Sequence, residues 1–178
     1  MPMAAERYAK ALLDLAIADG DVEKYQTELE AVSQTYEEEK NGLAAFLLSP
    51  RSDLSAKKTI LQGLFQERVG GNILHFLLLL LEKGRIRSLP EICRAYVRMA
   101  DEYRNIINLT VFTAFPLDKT QLDGIGKTFQ FLYHSSSVKI AVKTDASLIG
   151  GIKVTVDGNV FDGTVKGKLF RMQSAINP

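Results

Sequence analysis

The sequence predicts an α+β protein: an N-terminal six-helix bundle over residues 1–105, then a small α/β domain over 106–178 with a mixed sheet and two helices. Two observations predict it. Up to about Asn105 the apolar residues recur at spacings of three and four, as on one face of a helix. Beyond it they are β-branched and aromatic and alternate with polar residues, as along a half-buried strand.

The elements follow in order. Glu6–Asp19 is rich in Ala and Leu and stops at Gly20. Asp21 to about Tyr36 carries Val22, Tyr25, Leu29, Val32 and Tyr36 as one stripe. Glu37–Lys40, "EEEK", reads as a solvated helix end. Gly42–Leu48 is a short helix ended by Ser49-Pro50, and Ser55 to about Glu67 is a fourth with Ile60, Leu61, Leu64 and Phe65 inward. The fifth contains Phe76–Leu81, six large apolar residues in a row, and closes at Gly84. "SLPEI" opens a sixth, with Ser88 as cap, Pro90 in the first turn and Glu91 at the capping-box position. Its stripe is Ile92, Tyr96, Met99 and Tyr103. Short connections between six helices imply a compact bundle.

"NLTVFTAFPL" then reads as a strand ending at Pro116. A helix follows from cap Asp118 to about Tyr133, with Gln121 three residues on and Leu122, Ile125, Phe129 and Leu132 as its stripe. Val138, Ile140 and Val142 mark a second strand, and Ile152, Val154 and Val156 a third. Asp157-Gly158 is a tight-turn signal before Val160. Thr164–Ile176 is a last helix with Val165, Leu169 and Met172 on one face and a basic face of Lys166, Lys168 and Arg171.

Composition narrows the function. Twenty-two Lys and Arg against 21 Asp and Glu leave no basic excess of the kind a general nucleic-acid binder carries. Cys93 is the single cysteine, so no intramolecular disulfide forms. The apolar run Ile73–Leu81 is closed by Glu82 and Lys83, far short of the roughly 20 residues a membrane span needs. "MPMAAERYAK" lacks a signal-peptide core, so a soluble protein is expected. No phosphate loop or dinucleotide fingerprint occurs, and Gly150-Gly151 precedes a strand, which makes it a turn or bulge. His75 and His134 lack metal-ligand spacing; His75 reads as structural and Cys93 as an inert helix thiol. No cofactor, metal or catalytic residue is expected.

Two helices carry more apolar surface than one face holds. On the first, Tyr8, Leu12 and Leu15 form one row and Ala9, Leu13 and Ala16 a second, widened by Ala11 and Ile17. On the fifth, Ile73, Phe76, Leu77, Leu80 and Leu81 take one side and Leu74, Leu78 and Leu79 most of the rest. Either both lie central in the bundle, or they stand side by side and leave a groove for a partner's amphipathic helix.

"RYAKALLDLA", "LLSP" followed by "KK", "LLEKGRIRSLPEI" and "DASLIGGIKVTVDGNVFDGTVKGKL", in this order over the whole chain, resemble the delta subunit of the F-type ATP synthase, a relative of the mitochondrial oligomycin-sensitivity-conferring protein. Asp157-Gly158 stands where Gly-Asp is common in that family, and Phe161 is bulky. The resemblance implies a non-catalytic stator subunit. Residues 1–105 would bind the N-terminal helix of an alpha subunit in a groove walled by Tyr8, Ala11, Leu12, Leu15, Phe76, Leu79 and Leu80. Residues 106–178 would meet the C-terminal ends of the b subunits. The resemblance further implies a peripheral place on the cytoplasmic face of a bacterial cell membrane, without membrane insertion or nucleic acid. The alternatives are a helical adaptor for some other amphipathic helix, or a nucleic-acid binder using the C-terminal domain, which lacks an aromatic-rich basic sheet motif.

Overall fold

The structure, a computed structural model, describes residues 2–38, 42–156 and 158–176. The side chain of Arg171, Asp157 of the expected turn, and Glu39 and Lys40 of "EEEK" lie outside the described residues. The fold is α+β and separates into two compact units, 1–100 and 101–178.

The first unit is built from α1 (Pro2–Asp19), α2 (Val22–Glu37), α3 (Leu43–Leu48), α4 (Leu54–Phe65), α5 (Gly71–Glu82) and most of α6 (Leu89–Tyr103), around one continuous apolar core. Glycine sets two of the helix ends. Gly20 and Gly84 have φ of +74° and +63°, and the residue after each donates back across the last turn: Asp21 N to Ala16 O at 3.0 Å, Arg85 N to Leu80 O at 2.7 Å. This left-handed ending satisfies carbonyls that the helix leaves open. The expected Ser88 cap is replaced by winding: Ile86–Ser88 is a 3-10 turn that runs directly into α6. On α4, Leu61 and Phe65 are buried as expected, but Ile60 and Leu64 remain partly in water, because the helix turns them away from the core. Tyr96, at the centre of the core, donates its hydroxyl to Val22 O at 3.1 Å.

The second unit holds β1 (Ile106–Thr113), α7 (Lys119–Tyr133), β2 (Ser137–Thr144), β3 (Ile152–Val156), β4 (Asn159–Asp162) and α8 (Val165–Ile176). The sheet order is β2-β1-β3-β4, with β1 and β2 parallel and the other pairs antiparallel, so it is mixed. The first strand starts and ends earlier than "NLTVFTAFPL" suggests. At Thr113 the side chain ends the strand by donating to Phe115 O at 2.8 Å. Asp118 and Gln121 form the expected capping box at the start of α7. That helix ends without glycine: His134 takes φ +51° and Ser135 N donates to Gln130 O at 3.1 Å. Leu132, assigned to the apolar stripe, is exposed, as are Val165, Leu169 and Met172 of α8.

Asp101 anchors the first strands. Its side chain is 2% exposed and accepts from Arg104 (3.1 Å), Asn108 of β1 (3.0 Å) and Lys139 of β2 (2.8 Å). Burial works to raise its carboxyl pKa, but the bonds from Lys139 and Asn108 and the nearby cations outweigh burial and hold it below the usual range. A depressed folded pKa contributes stability that is present above the unfolded carboxylate range and lost as pH falls through the folded value. Asp101→Asn is therefore expected to destabilise the second unit by about 1–3 kcal/mol at neutral pH, read from urea unfolding and amide exchange of β1 and β2. The gap from the wild type is expected to close on acidification below about pH 4.

A second constraint lies at Gly151, with φ +80°. A Cβ there would stand 2.6 Å from Gly163 O, whereas one on Gly158 (φ +85°) would meet open space. Gly151→Ala is expected to cost about 2 kcal/mol or more, combining backbone strain and collision. Gly158→Ala is expected to cost about 1 kcal/mol, the left-handed strain alone. Equal losses in a denaturant titration would contradict the close approach.

Candidate functional site

The first and fifth helices touch at two places. Near one end the rings of Tyr8 and Phe76 meet edge to face, centroids 6.2 Å apart. Near the other, Asn72 donates to Asp19 at 3.0 Å and to the Tyr25 hydroxyl at 2.7 Å, and that hydroxyl bonds Asp19 as well. Tyr8 and Asp19 lie in this order along α1, while Asn72 and Phe76 run the opposite way along α5, so the two are antiparallel. The start of α5 is pinned further by Glu28, whose carboxylate accepts from Gly70 N at 2.7 Å, where a negative charge suits the helix N-terminus.

Above this pair the apolar surface continues into solvent. Leu15 is 51% exposed and Leu79 41%, and Ala11 is exposed between Tyr8 and Leu15. Tyr8 is half-buried and Phe76 buried, so their rings lie beneath the exposed strip. The helical period places Ala4 and Ala18 on the same strip of α1 as Ala11 and Leu15. Neither lies in the rows read from the sequence; Ala18 is exposed and Ala4 half-buried. At the rim the Arg85 guanidinium sits 5.7 Å from the Tyr8 ring centroid. That position too was not expected, since the loop after Gly84 carries no periodicity.

Five of the seven expected wall residues, Tyr8, Ala11, Leu15, Phe76 and Leu79, lie at this strip. The other two do not. Leu12 is 1% exposed and Leu80 0%, and both belong to the core. Each sits one helical step round from the strip, toward the sibling helices. His75 is exposed on α5. Cys93 is buried, and burial, with Glu30 nearby, pushes its thiol pKa up, away from reactivity. Among the described residues no cluster of three His, Cys, Asp or Glu could hold a metal, and no helix is long and apolar enough to cross a membrane.

The profile of the ATP synthase delta (OSCP) subunit family matches residues 4–176. ATP synthase subunit delta of Acetivibrio thermocellus is 33% identical over 99% of this chain and 98% of its own. The proteins of the same name from Geobacter sp. (strain M21) and Bacillus cereus (strain B4264) are each 35% identical, over 97% and 95% of this chain and 95% and 93% of their own. A chain of the Toxoplasma gondii mitochondrial ATP synthase hexamer, solved by cryo-EM, shares the fold with a TM-score of 0.73 at 22% identity, covering 98% of this chain and 97% of that one. The chain belongs to the ATP synthase delta (OSCP) subunit family, whose part in the synthase is structural rather than catalytic.

Proposed function

We propose that the six N-terminal helices act as one bundle, residues 1–105, that grips the N-terminal helix of an alpha subunit in the α1–α5 groove. Residues 106–178 hold the C-terminal ends of the b subunits. The chain then ties the catalytic head to the peripheral stalk, keeping the head from turning with the rotor so that rotation drives ATP synthesis. It does so peripherally, at the cytoplasmic face of a bacterial cell membrane, through the complex rather than by insertion.

One observation carries this reading: Ala11, Leu15 and Leu79 stay exposed on either side of the half-buried Tyr8 and the buried Phe76. Leu15 and Leu79 keep about half their side chains in water, so covering them gains roughly 1–1.5 kcal/mol each before ordering costs. The exposed alanines let a partner backbone approach closely. A joint under torque needs a slow off-rate, and affinity differences between related complexes arise mostly there.

The test is titration calorimetry of the intact protein with a synthetic peptide of the alpha subunit's N-terminal segment. Leu79→Asp and Leu15→Asp are each expected to weaken binding at least tenfold, about 1.4 kcal/mol, with helical circular dichroism unchanged. Leu12→Ala, by contrast, is expected to lose about 2–5 kcal/mol of folding stability as a core cavity. Undiminished affinity in both Asp variants would remove the groove from this role. A wild-type protein that ignores the alpha peptide yet captures unrelated amphipathic helices would be a general adaptor.

A further inference from the structure

The sheet of the second unit uses its two faces differently. Ile107, Leu109 and Val111 of β1, with Val154 and Val156 of β3, pack with Phe129 and Ile125 of α7. The alternate residues form the opposite face. There Phe112 stands directly opposite Lys143 of β2 and Lys153 of β3. Both ammonium groups lie over its ring, 5.9 and 5.7 Å from the centroid. Two residues along the strands comes a row of short side chains, Ala141, Thr110 and Thr155, ending at Val160 of β4. On this face Ala141, Lys143 and Val160 are exposed and Thr110, Phe112, Lys153 and Thr155 half-buried, so solvent reaches a row that ends in an aromatic ring between two cations.

The nearby carboxylates are occupied. Asp101 takes Lys139 at 2.8 Å. Asp162, opposite Lys153 in register, accepts from the backbone N (2.8 Å) and hydroxyl (2.7 Å) of Thr164, which caps α8 through Gly167 N at 3.0 Å. Asp145 accepts from Ser147 N at 2.9 Å, and the charges of Lys153 and Lys166 add to the bonds that lower its pKa. Among the described residues neither Lys143 nor Lys153 has a carboxylate within ion-pair distance. Two like charges sharing one ring repel each other, and an incoming anion would relieve the repulsion.

We propose that this face is the docking surface for an acidic amphipathic helix: its apolar side chains lie on Phe112 and the Thr110–Ala141–Thr155 row, and its flanking carboxylates meet Lys143 and Lys153. The inference rests on the reading of the C-terminal domain as the stalk-binding part and gives that contact a surface and a chemistry. A nucleic acid is the weaker occupant, because two lysines and one ring on a chain of net charge +1 neutralise too few phosphates. The rival protein surface is the exposed stripe Val165, Leu169 and Met172 of α8.

The experiment titrates the full chain with a labelled peptide of about the last 25 residues of the b subunit from the same organism, followed by fluorescence anisotropy. The double variant Lys143→Glu/Lys153→Glu is expected to lose at least tenfold in affinity while binding the alpha peptide normally, which shows that the rest of the chain is folded. Replacing the acidic residues of the b peptide by lysine is expected to restore binding to that variant. Unchanged affinity in the double variant overturns the proposal. So does a loss seen only with Leu169→Asp/Met172→Asp, or a single-stranded oligonucleotide held by the wild type as tightly as the peptide. A wild type that does not bind the b peptide at all overturns the stalk reading itself, and this inference with it.

Discussion

The antiparallel pairing of the first and fifth helices is the constraint on which the rest of the N-terminal unit turns. Each carries apolar side chains round a wider arc than the sibling helices can cover. Their inner arcs, from Ala9, Leu12 and Ala16 on one to Ile73, Leu77 and Leu80 on the other, close the core. The Tyr8–Phe76 pair marks the seam where enclosure stops. Beyond that seam the same hydrophobicity stays exposed, and in the proposed role of recognition surface it has to be small enough not to drive aggregation while vacant. The alternation of Ala with Leu and Tyr along α1 meets both needs: alanine exposes little apolar area, and it lets another helix approach to backbone distance.

How the seam is held explains why it can be rigid. Asp19, Tyr25 and Asn72 form a closed set of hydrogen bonds at one end, where α1 stops and α5 starts. Tyr25 is pushed above its ordinary pKa by burial and by its bond to Asp19, so its hydroxyl stays a donor across the working range. Glu28 holds Gly70 in the same neighbourhood. The turn at Gly84, which no side chain could adopt without strain, fixes Arg85 over Tyr8 at the other end. The exposed apolar strip is therefore framed by local chemistry at both ends.

Much of this was legible in the sequence, and what was not has identifiable causes. Periodicity shows the width of an apolar arc but not which part of it faces the siblings, so Leu12 and Leu80 could not be separated from Leu15 and Leu79 beforehand. The ends at Gly20 and Gly84 and the cap at Asp118 were readable because each residue type has one cheap use there. His134 was not, since a left-handed ending without glycine leaves no compositional mark. Asp101 falls in no stripe or cap that the sequence shows; its partners Asn108 and Lys139 converge only through the parallel pairing of β1 with β2. The Lys143–Phe112–Lys153 row was hidden for the same reason. Each residue is an unremarkable alternate position in its own strand, and only register across three strands makes them neighbours.

The two surfaces differ in physical kind, and the difference has a mechanical sense. Burial of Leu15 and Leu79 is short-ranged and barely affected by salt, so a contact built on it resists separation once made. The lysine-flanked face of the sheet acts further out and is screened, which favours steering and register over holding strength. A stator needs both. Torque has to be borne by a contact that does not open during a turnover, while a long stalk has to be captured and aligned as the complex assembles. In the proposed reading the apolar joint lies at the α1–α5 seam and the ionic one on the sheet, and each is built on its own apolar core.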